Sequence, residues 1–140
     1  MEAHVGSENE RLKHLEFIQA TIARLGNNSF LVRGWTVTAT AALIAVSVQV
    51  SEWRIATVAL LIGVAFWILD ASYLRRERMF RALYDDTALH NPSRIPLFSM
   101  NIAPYAATIG WRKVMTSSSV MMIYLPVLVL DLAVACVLGA

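Results

Sequence analysis

The chain has 140 residues, of which 57% are hydrophobic, and a formal net charge of only +2. Its mean hydropathy is +0.55, and a soluble domain of this size could not bury that much apolar surface, so the composition excludes an ordinary soluble protein. The single cysteine, Cys136, excludes an intrachain disulfide. Residues 1–6 contain no basic segment leading into an apolar one, so we expect no cleavable signal peptide.

Residues 7–25 predict an amphipathic helix on the cytoplasmic side. Ser7 and Glu10 have the spacing of a capping box, and Gly26 stands where a helix C-cap is expected. Residues 27–29 then predict a break, so residues 1–29 are expected to be a helix followed by a linker. The helix has one apolar stripe, which either packs on its own chain or meets copies of itself in an oligomer. The stripe consists of Leu12, Leu15, Ile18, Ile22 and Leu25.

Three apolar runs follow, at residues 30–50, 55–74 and 115–138. Each has about 20 residues or slightly more, which suits a helix crossing a hydrocarbon core about 30 Å thick. We expect residues 30–74 to be a transmembrane hairpin and residues 75–114 a cytoplasmic basic helix with a Pro-containing loop. Asn91-Pro92 is expected to end the helical order. The third span lies within residues 115–140, and Pro126 is expected to kink it.

Basic residues determine the expected orientation. Three spans place the two ends of the chain on opposite sides of the membrane. With the N-terminus inside, Arg54 is the one basic residue of 12 that falls outside. The prediction is an all-α protein of the bacterial inner membrane, with its N-terminus in the cytoplasm and its C-terminus outside.

We find no arrangement of residues that predicts catalysis, a cofactor or a metal site. The histidines His4, His14 and His90 are scattered, and no Gly-rich phosphate loop or nucleophile–base set can be assembled. His14 is expected to be a solvated surface residue. The sequence therefore does not favour an enzyme.

Polar residues within the apolar runs are candidates for function. Asp70 lies at the depth of Arg33, which predicts a structural ion pair, with a pore role as the alternative. Asp131 lies past the middle of the third span with no cation near it in sequence, and a lipid-facing carboxylate there would cost roughly 2.5–3.5 kcal/mol. It is expected either to join an acidic ring in an oligomeric pore or to form a buried hydrogen bond. Three hydroxyl residues share one face of the first span and either glue helices together or line the pore: Thr36, Thr40 and Ser47.

A group of arginines follows the second span: Arg75, Arg76, Arg78 and Arg81. Such groups contact anionic lipid headgroups, and they can also receive an anionic ligand such as an oligonucleotide. Phe80 and Tyr84 are interleaved with them and could stack on bases. Lys13 and Arg24 of the N-terminal helix are a second candidate site for the anion.

Two stretches resemble a family of small bacterial three-span membrane proteins. The first is LEFIQATIAR at residues 15–24, followed by Asn28-Ser29-Phe30 and Gly34-Trp35. The second is FWILDASYLRRER at residues 66–78, followed by Phe80 and Leu83-Tyr84. The pattern, which covers residues 12–85, is similar to the membrane effector of Hailong-type anti-phage systems.

This resemblance implies a homo-oligomeric ion channel, with a tetramer favoured. It also implies a nucleotidyltransferase partner whose DNA-oligomer product holds the channel shut, and depolarisation of the membrane once the channel opens. None of the family's ligand-binding residues is carried over to this sequence. Two alternatives remain open on the residues themselves: a non-conducting anchor or assembly partner for a cytoplasmic protein, and a holin-like lesion former.

Overall fold

The computed structural model describes residues 2–89 and 95–140, with side chains from residue 7 onward. In this part of the chain the protein is all-helical, as predicted. Three helices are long and apolar enough to cross a membrane, which is the architecture of a multi-pass membrane protein. The elements in chain order are α1 (Glu2–Val50), α2 (Trp53–Leu89), a 3₁₀ turn (Ala103–Tyr105), α3 (Trp111–Met115) and α4 (Ser118–Gly139).

Helices α1 and α2 form a long antiparallel hairpin that is taller than a membrane. At 1.5 Å per residue, α1 is about 74 Å long and α2 about 56 Å, whereas α4 is about 33 Å, close to the hydrocarbon thickness. The turn between α1 and α2 lies beside the end of α4, because a Cβ added at Gly139 would lie 3.7 Å from the Trp53 side chain. The excess length of both hairpin helices therefore projects at the opposite end. We call this projection the stalk, formed by residues 7–28 of α1 and 75–89 of α2.

Helix α1 is continuous, so the predicted C-cap at Gly26 and the predicted break at residues 27–29 are wrong. Ser7, predicted as a cap, also lies inside the helix, which begins at Glu2. Gly26 and the residues after it are weak helix formers, at up to about 1 kcal/mol each relative to alanine. Tertiary contacts offset this low propensity. A Cβ added at Gly26 would lie 3.8 Å from the Glu77 carboxylate, so α2 packs closely there, and Ser29 bonds to Asp70. Packing against α2 thus overrides local propensity.

One face of α1 is buried along the stalk and along the rest of the hairpin, which together with α4 (residues 29–74 and 118–139) we call the membrane half. The buried residues are spaced alternately four and seven apart: His14, Ile18, Leu25, Ser29, Thr36, Thr40 and Ser47. The sum of the two spacings is an 11-residue repeat of about 3.67 residues per turn, close to the period of a straight helix. The same face of α1 can therefore contact α2 over the whole length.

The segment after α2 returns along the stalk to the membrane half. Helix α2 runs to Leu89, and the predicted end of helical order at Asn91-Pro92 lies outside the described residues. The third span starts later than predicted, at Ser118, because residues 111–115 form the separate helix α3. Pro126 lies within an uninterrupted α4.

Candidate functional site

Polar side chains follow the buried face of the three-helix interface from the stalk to the opposite end of the membrane half. We call this line the polar seam, and it has three parts. An ion pair lies at the stalk end, threonines and a tyrosine lie in the middle, and Asp131 lies beyond them. Its members are Ser29, Arg33, Thr36, Thr40 and Ser47 of α1, Asp70 of α2, and Tyr124 and Asp131 of α4.

The ion pair joins α1 to α2. Arg33 donates from Nε to Asp70 Oδ2 at 2.9 Å, and the Ser29 hydroxyl donates to Asp70 Oδ1. The Asp70 side chain is completely buried, whereas the Arg33 side chain keeps 20% of its surface exposed. Both carboxylate oxygens therefore have a donor, which is the condition under which a buried charge is tolerated. The structure places Arg33 and Asp70 together as the sequence analysis expected for a structural pair.

The hydroxyls of the threonines in the middle part, and of Ser47 at the far end, are satisfied mainly by backbone carbonyls. Thr36 donates to Val32 O at 2.8 Å and Thr40 donates to Thr36 O at 2.8 Å, both within α1. The Thr36 hydroxyl also lies 3.4 Å from the Tyr124 hydroxyl of α4. Ser47 donates to Glu52 O at 2.9 Å and so braces the turn between α1 and α2. Such bonds satisfy a hydroxyl without any ligand, so in this arrangement these side chains support helix packing.

Asp131 lies in the interface with only 1% of its surface exposed. Its Oδ2 atom is buried and has no hydrogen-bond partner among the described residues. A Cβ added at Gly63 of α2 would lie 3.5 Å from that oxygen, 2.9 Å from Leu128 Cδ2 and 3.7 Å from Thr40 Cγ2. Small residues let helices approach closely in a membrane, and the absence of a side chain at Gly63 leaves room for Leu128 of α4, while the Asp131 oxygen lies at ordinary contact distance.

All four predicted pore-lining residues are buried within a single chain. Thr36, Thr40 and Ser47 share one face, as predicted, and Asp131 joins them from α4. They do not form an outward polar surface that could line a pore between copies in this arrangement. Tyr124 was not predicted from the sequence. Its signal was the spacing of the buried residues of α4, because Val120, Tyr124 and Asp131 are four and seven apart, like those of α1.

The structure divides the predicted arginine group of the stalk in two. Arg75 donates to Ile109 O at 2.8 Å and to Ala106 O at 2.9 Å, and so holds the returning segment. Its guanidinium also lies 5.4 Å from the centroid of the Trp111 ring. Arg81 pairs with Glu77 at 2.6 Å.

Arg76 and Arg78 are the members of this group that make no side-chain hydrogen bond or ion pair with the described residues. The second predicted anion site lies on α1, and there Lys13 and Arg24 are exposed. The stalk therefore offers two cations on each of its helices to an anionic ligand.

The predicted apolar stripe of the stalk is mostly an intrachain contact. Ile18 and Leu25 are buried within the chain, and Leu15 and Ile22 are half-buried. Leu12 is 59% exposed, so it does not share that contact. On the same helix, the aromatic side chain of Phe17 is 58% exposed. The face available to a second copy is thus displaced from the predicted stripe.

Two stalk residues have roles that the sequence did not indicate. His14 was expected at the surface but is buried, and its Nε2 lies 3.0 Å from Ser99 O. Arg11 donates to Thr87 O and Ala88 O, which are carbonyls at the C-terminal end of α2 that a basic side chain can cap. Both contacts depend on residues more than 70 positions apart in the chain, so no local signal could have revealed them.

A cleft of about 480 Å³ lies on the stalk where the returning segment meets α1. Phe98 has a φ of 61°, which is rare for a bulky side chain. Its ring centroid lies 5.8 Å from that of His14 and 6.3 Å from that of Phe17. The cleft is mostly apolar and carries Arg24 in its lining; the full lining is His14, Phe17, Ala20, Thr21, Arg24, Phe98 and Met100.

Comparison with known proteins found no matching family model, no matching curated protein and no matching solved structure.

Within the described residues, no group of three or more His, Cys, Asp or Glu side chains is placed to hold a metal ion. The side chain of His4 and all of His90 lie outside those residues. The polar seam and the exposed cations of the stalk are therefore the candidate functional features of the described residues.

Proposed function

We propose that this chain is the subunit of a homo-oligomeric ion channel of the bacterial inner membrane, closed and opened from its cytoplasmic stalk by an anionic ligand. The observation that carries the proposal is Asp131, a buried carboxyl group past the middle of an apolar helix, with one oxygen that has no partner among the described residues. An acid at such a depth costs roughly 2.5–3.5 kcal/mol on insertion scales. An anchor needs only apolar helices, so an acid kept there at that cost indicates a function within the membrane.

The polar seam is the feature that can become a conducting surface. In the packed arrangement α1, α2 and α4 close on the seam beyond Arg33, which keeps 20% of its side-chain surface exposed, so water does not reach the buried part. Among the described residues, Tyr124 is the side chain of α4 that bonds to the hairpin; its contact with Thr36 is long at 3.4 Å, and it also interacts with Asp70. The α1–α2 contact is tied much more firmly by Arg33 and Asp70. Opening therefore corresponds to a movement of α4 away from a hairpin that stays together.

The stalk supplies the proposed control site. Arg76 and Arg78 carry charge that no described residue neutralises by an ion pair, and Lys13 and Arg24 are exposed on the neighbouring helix. In a symmetric oligomer, for which a tetramer is favoured, these charges repeat around the axis, so a polyanion gains from contacting several copies. The Hailong-type resemblance favours a DNA oligomer made by a nucleotidyltransferase partner. The ligand can keep the channel closed only if it binds the closed form better than the open form.

The test is binding of a labelled single-stranded DNA oligomer to the purified oligomer. The paired substitution Arg76→Glu with Arg78→Glu is expected to weaken binding and to depolarise cells that express it. Binding by the wild type should fall steeply with added salt, because phosphate contacts release counterions. Arg54→Glu is the matched control, because its side chain is 77% exposed but lies at the end away from the stalk. Equal binding by both variants and the wild type would place the ligand elsewhere, for example on Lys13 and Arg24.

A non-conducting anchor is the second candidate function. The observation that favours it is that the hydroxyls of Thr36, Thr40 and Ser47 are satisfied within the chain. The exposed rings and aliphatic side chains of the stalk, such as Phe17 and Leu12, would then bind a cytoplasmic protein. A holin-like lesion former differs from both by assembling into large and irregular particles. An oligomer of defined size that does not conduct would favour the anchor.

A further inference from the structure

Two aspartates lie in the membrane-spanning part of the chain, and their surroundings are opposite. Asp70 is fully buried but accepts bonds from Arg33 and Ser29, one on each oxygen. Asp131 is equally buried, yet its Oδ2 atom has no donor among the described residues. Because the two aspartates differ mainly in their hydrogen-bond partners, each serves as a control for the other.

Among the described residues, no hydrogen bond or ion pair joins Asp131 to a charged or titratable side chain of the helices packed against it. Helix α1 presents the methyl group of Thr40 and α2 presents the backbone at Gly63. The nearest ionisable residues along those helices are Arg33 and Asp70, each seven residues away, or about 10 Å along the axis. On α4 itself the nearest are Cys136, which is five residues away and exposed, and Tyr124, which is seven residues away. Leu128 is the side chain of α4 beside the same point.

A charged carboxylate is strongly disfavoured in such surroundings. An ion taken from water into an apolar interior costs several kcal/mol unless a counter-charge and hydrogen bonds offset that cost. Asp70 has both, and Asp131 has neither among the described residues. A neutral carboxylic acid avoids this cost and retains its fit beside Gly63, where a Cβ would lie 3.5 Å from Oδ2.

We infer that Asp131 is a proton-binding site inside each protomer, occupied when α4 is packed on the hairpin and emptied when α4 separates and water reaches the carboxyl group. The packed form thus holds one more proton per protomer than the separated form. Acid therefore favours packing, and alkali favours separation by up to about tenfold per pH unit for each protomer. This proton site goes beyond the proposed channel function and does not depend on conduction.

The first experiment is labelling of the protein in liposomes with dicyclohexylcarbodiimide, an apolar reagent that reacts with protonated carboxyl groups. The carboxyl proton moves to a carbodiimide nitrogen and the carboxyl oxygen bonds to the central carbon. The acyl group then migrates to nitrogen as a stable N-acylurea, with no oxidant or reductant involved. Peptide mass spectrometry is expected to find the adduct on Asp131 and not on Asp70.

Two variants serve as controls for the access of the reagent to the two carboxyl groups. Asp131→Asn should remove the adduct. Arg33→Met should create one on Asp70, because that carboxyl group then loses its counter-charge and is expected to take up a proton. Labelling of Asp70 in the wild type, without labelling of Asp131, would overturn the inference.

Infrared spectroscopy decides the case in which the reagent does not reach Asp131. A protonated carboxyl group absorbs at a carbonyl frequency distinct from that of a carboxylate and shifts in heavy water. The wild type is expected to show this band at neutral pH, and Asp131→Asn is expected to lack it. Identical spectra would mean that Asp131 is ionised, for instance with a bound metal cation, and would overturn the inference. A conducting protein without the band would refute the proton site alone, whereas the band in a protein that never conducts would refute the channel alone.

Discussion

Replacing Arg33 with methionine removes the positive partner of Asp70 while keeping an apolar stem of similar length. The carboxylate would then stay fully buried, with the Ser29 hydroxyl as its donor among the described residues and the Tyr124 hydroxyl close by. Breaking a buried ion pair on one side costs about 3–5 kcal/mol. The carboxyl group can limit this cost by binding a proton. For an ordinary aspartic acid with a pKa of about 3.9, protonation costs about 4 kcal/mol at pH 7 and about 1.5 kcal/mol at pH 5.

We therefore expect Arg33→Met to lower the free energy of unfolding by about 3–4 kcal/mol at pH 7. At pH 5 the loss should shrink to about 1.5 kcal/mol. The double variant Arg33→Met with Asp70→Leu should recover much of the loss, because an apolar pair of similar volume often replaces a buried ion pair at little cost.

The assay is reversible unfolding in mixed micelles, followed by circular dichroism and analysed as a double-mutant cycle. Arg54→Met is the matched control. Its pair with Glu52 is 3.9 Å long and exposed, so its loss should cost less than about 1 kcal/mol. Equal effects of Arg33→Met and Arg54→Met, or an Arg33→Met effect that does not change between pH 7 and pH 5, would refute this reasoning.

Three further predictions concern the packing of α4, the stalk surface and the returning segment. Gly63→Leu should lower the unfolding free energy by about 1–3 kcal/mol through overpacking, since even a Cβ there lies 2.9 Å from a leucine methyl of α4; an unchanged micelle titration would contradict the close contact. Leu12→Asp should change oligomer size in light scattering without loss of helix, whereas Ile18→Asp should reduce helicity, because Leu12 is exposed and Ile18 is buried. Burial and the hydrogen bond to Asp86 raise the pKa of Tyr105 to about 12, so the neutral phenol stabilises the folded segment fully below pH 10 and this stability is lost as pH rises through 12. Tyrosinate absorbance should show this titration and Tyr105→Phe should abolish it, whereas ionisation near pH 10 would show that the bond does not form.

The spans were predictable because they depend on local composition. An apolar run of about 20 residues suits the hydrocarbon thickness whatever its neighbours are, and the shared depth of Arg33 and Asp70 follows from counting residues along two helices. The face shared by Thr36 and Thr40 follows from helical periodicity alone.

The errors arose where tertiary contacts override local signals. Gly26 has the chemistry of a helix end, but the contact with α2 keeps α1 helical through it. His14 was predicted to lie at the surface, and its burial could not be predicted because its partner, the Ser99 carbonyl, lies 85 positions away in the chain. The sequence showed that Thr40 has a preferred face but not that α4, with Tyr124 and Asp131, would cover it. Periodicity identifies a buried face and does not identify what buries it.

Ion flux from liposomes is the most direct test of the channel account. The purified protein should be reconstituted at known copy number per vesicle, its assembly size measured in the same preparation, and potassium efflux followed with and without an added DNA oligomer. We expect one defined small protein oligomer, potassium efflux without added DNA, suppression of that efflux by the DNA oligomer, and loss of the suppression in Arg78→Glu. Vesicles that hold a well-folded oligomer and retain their potassium under every condition would contradict it.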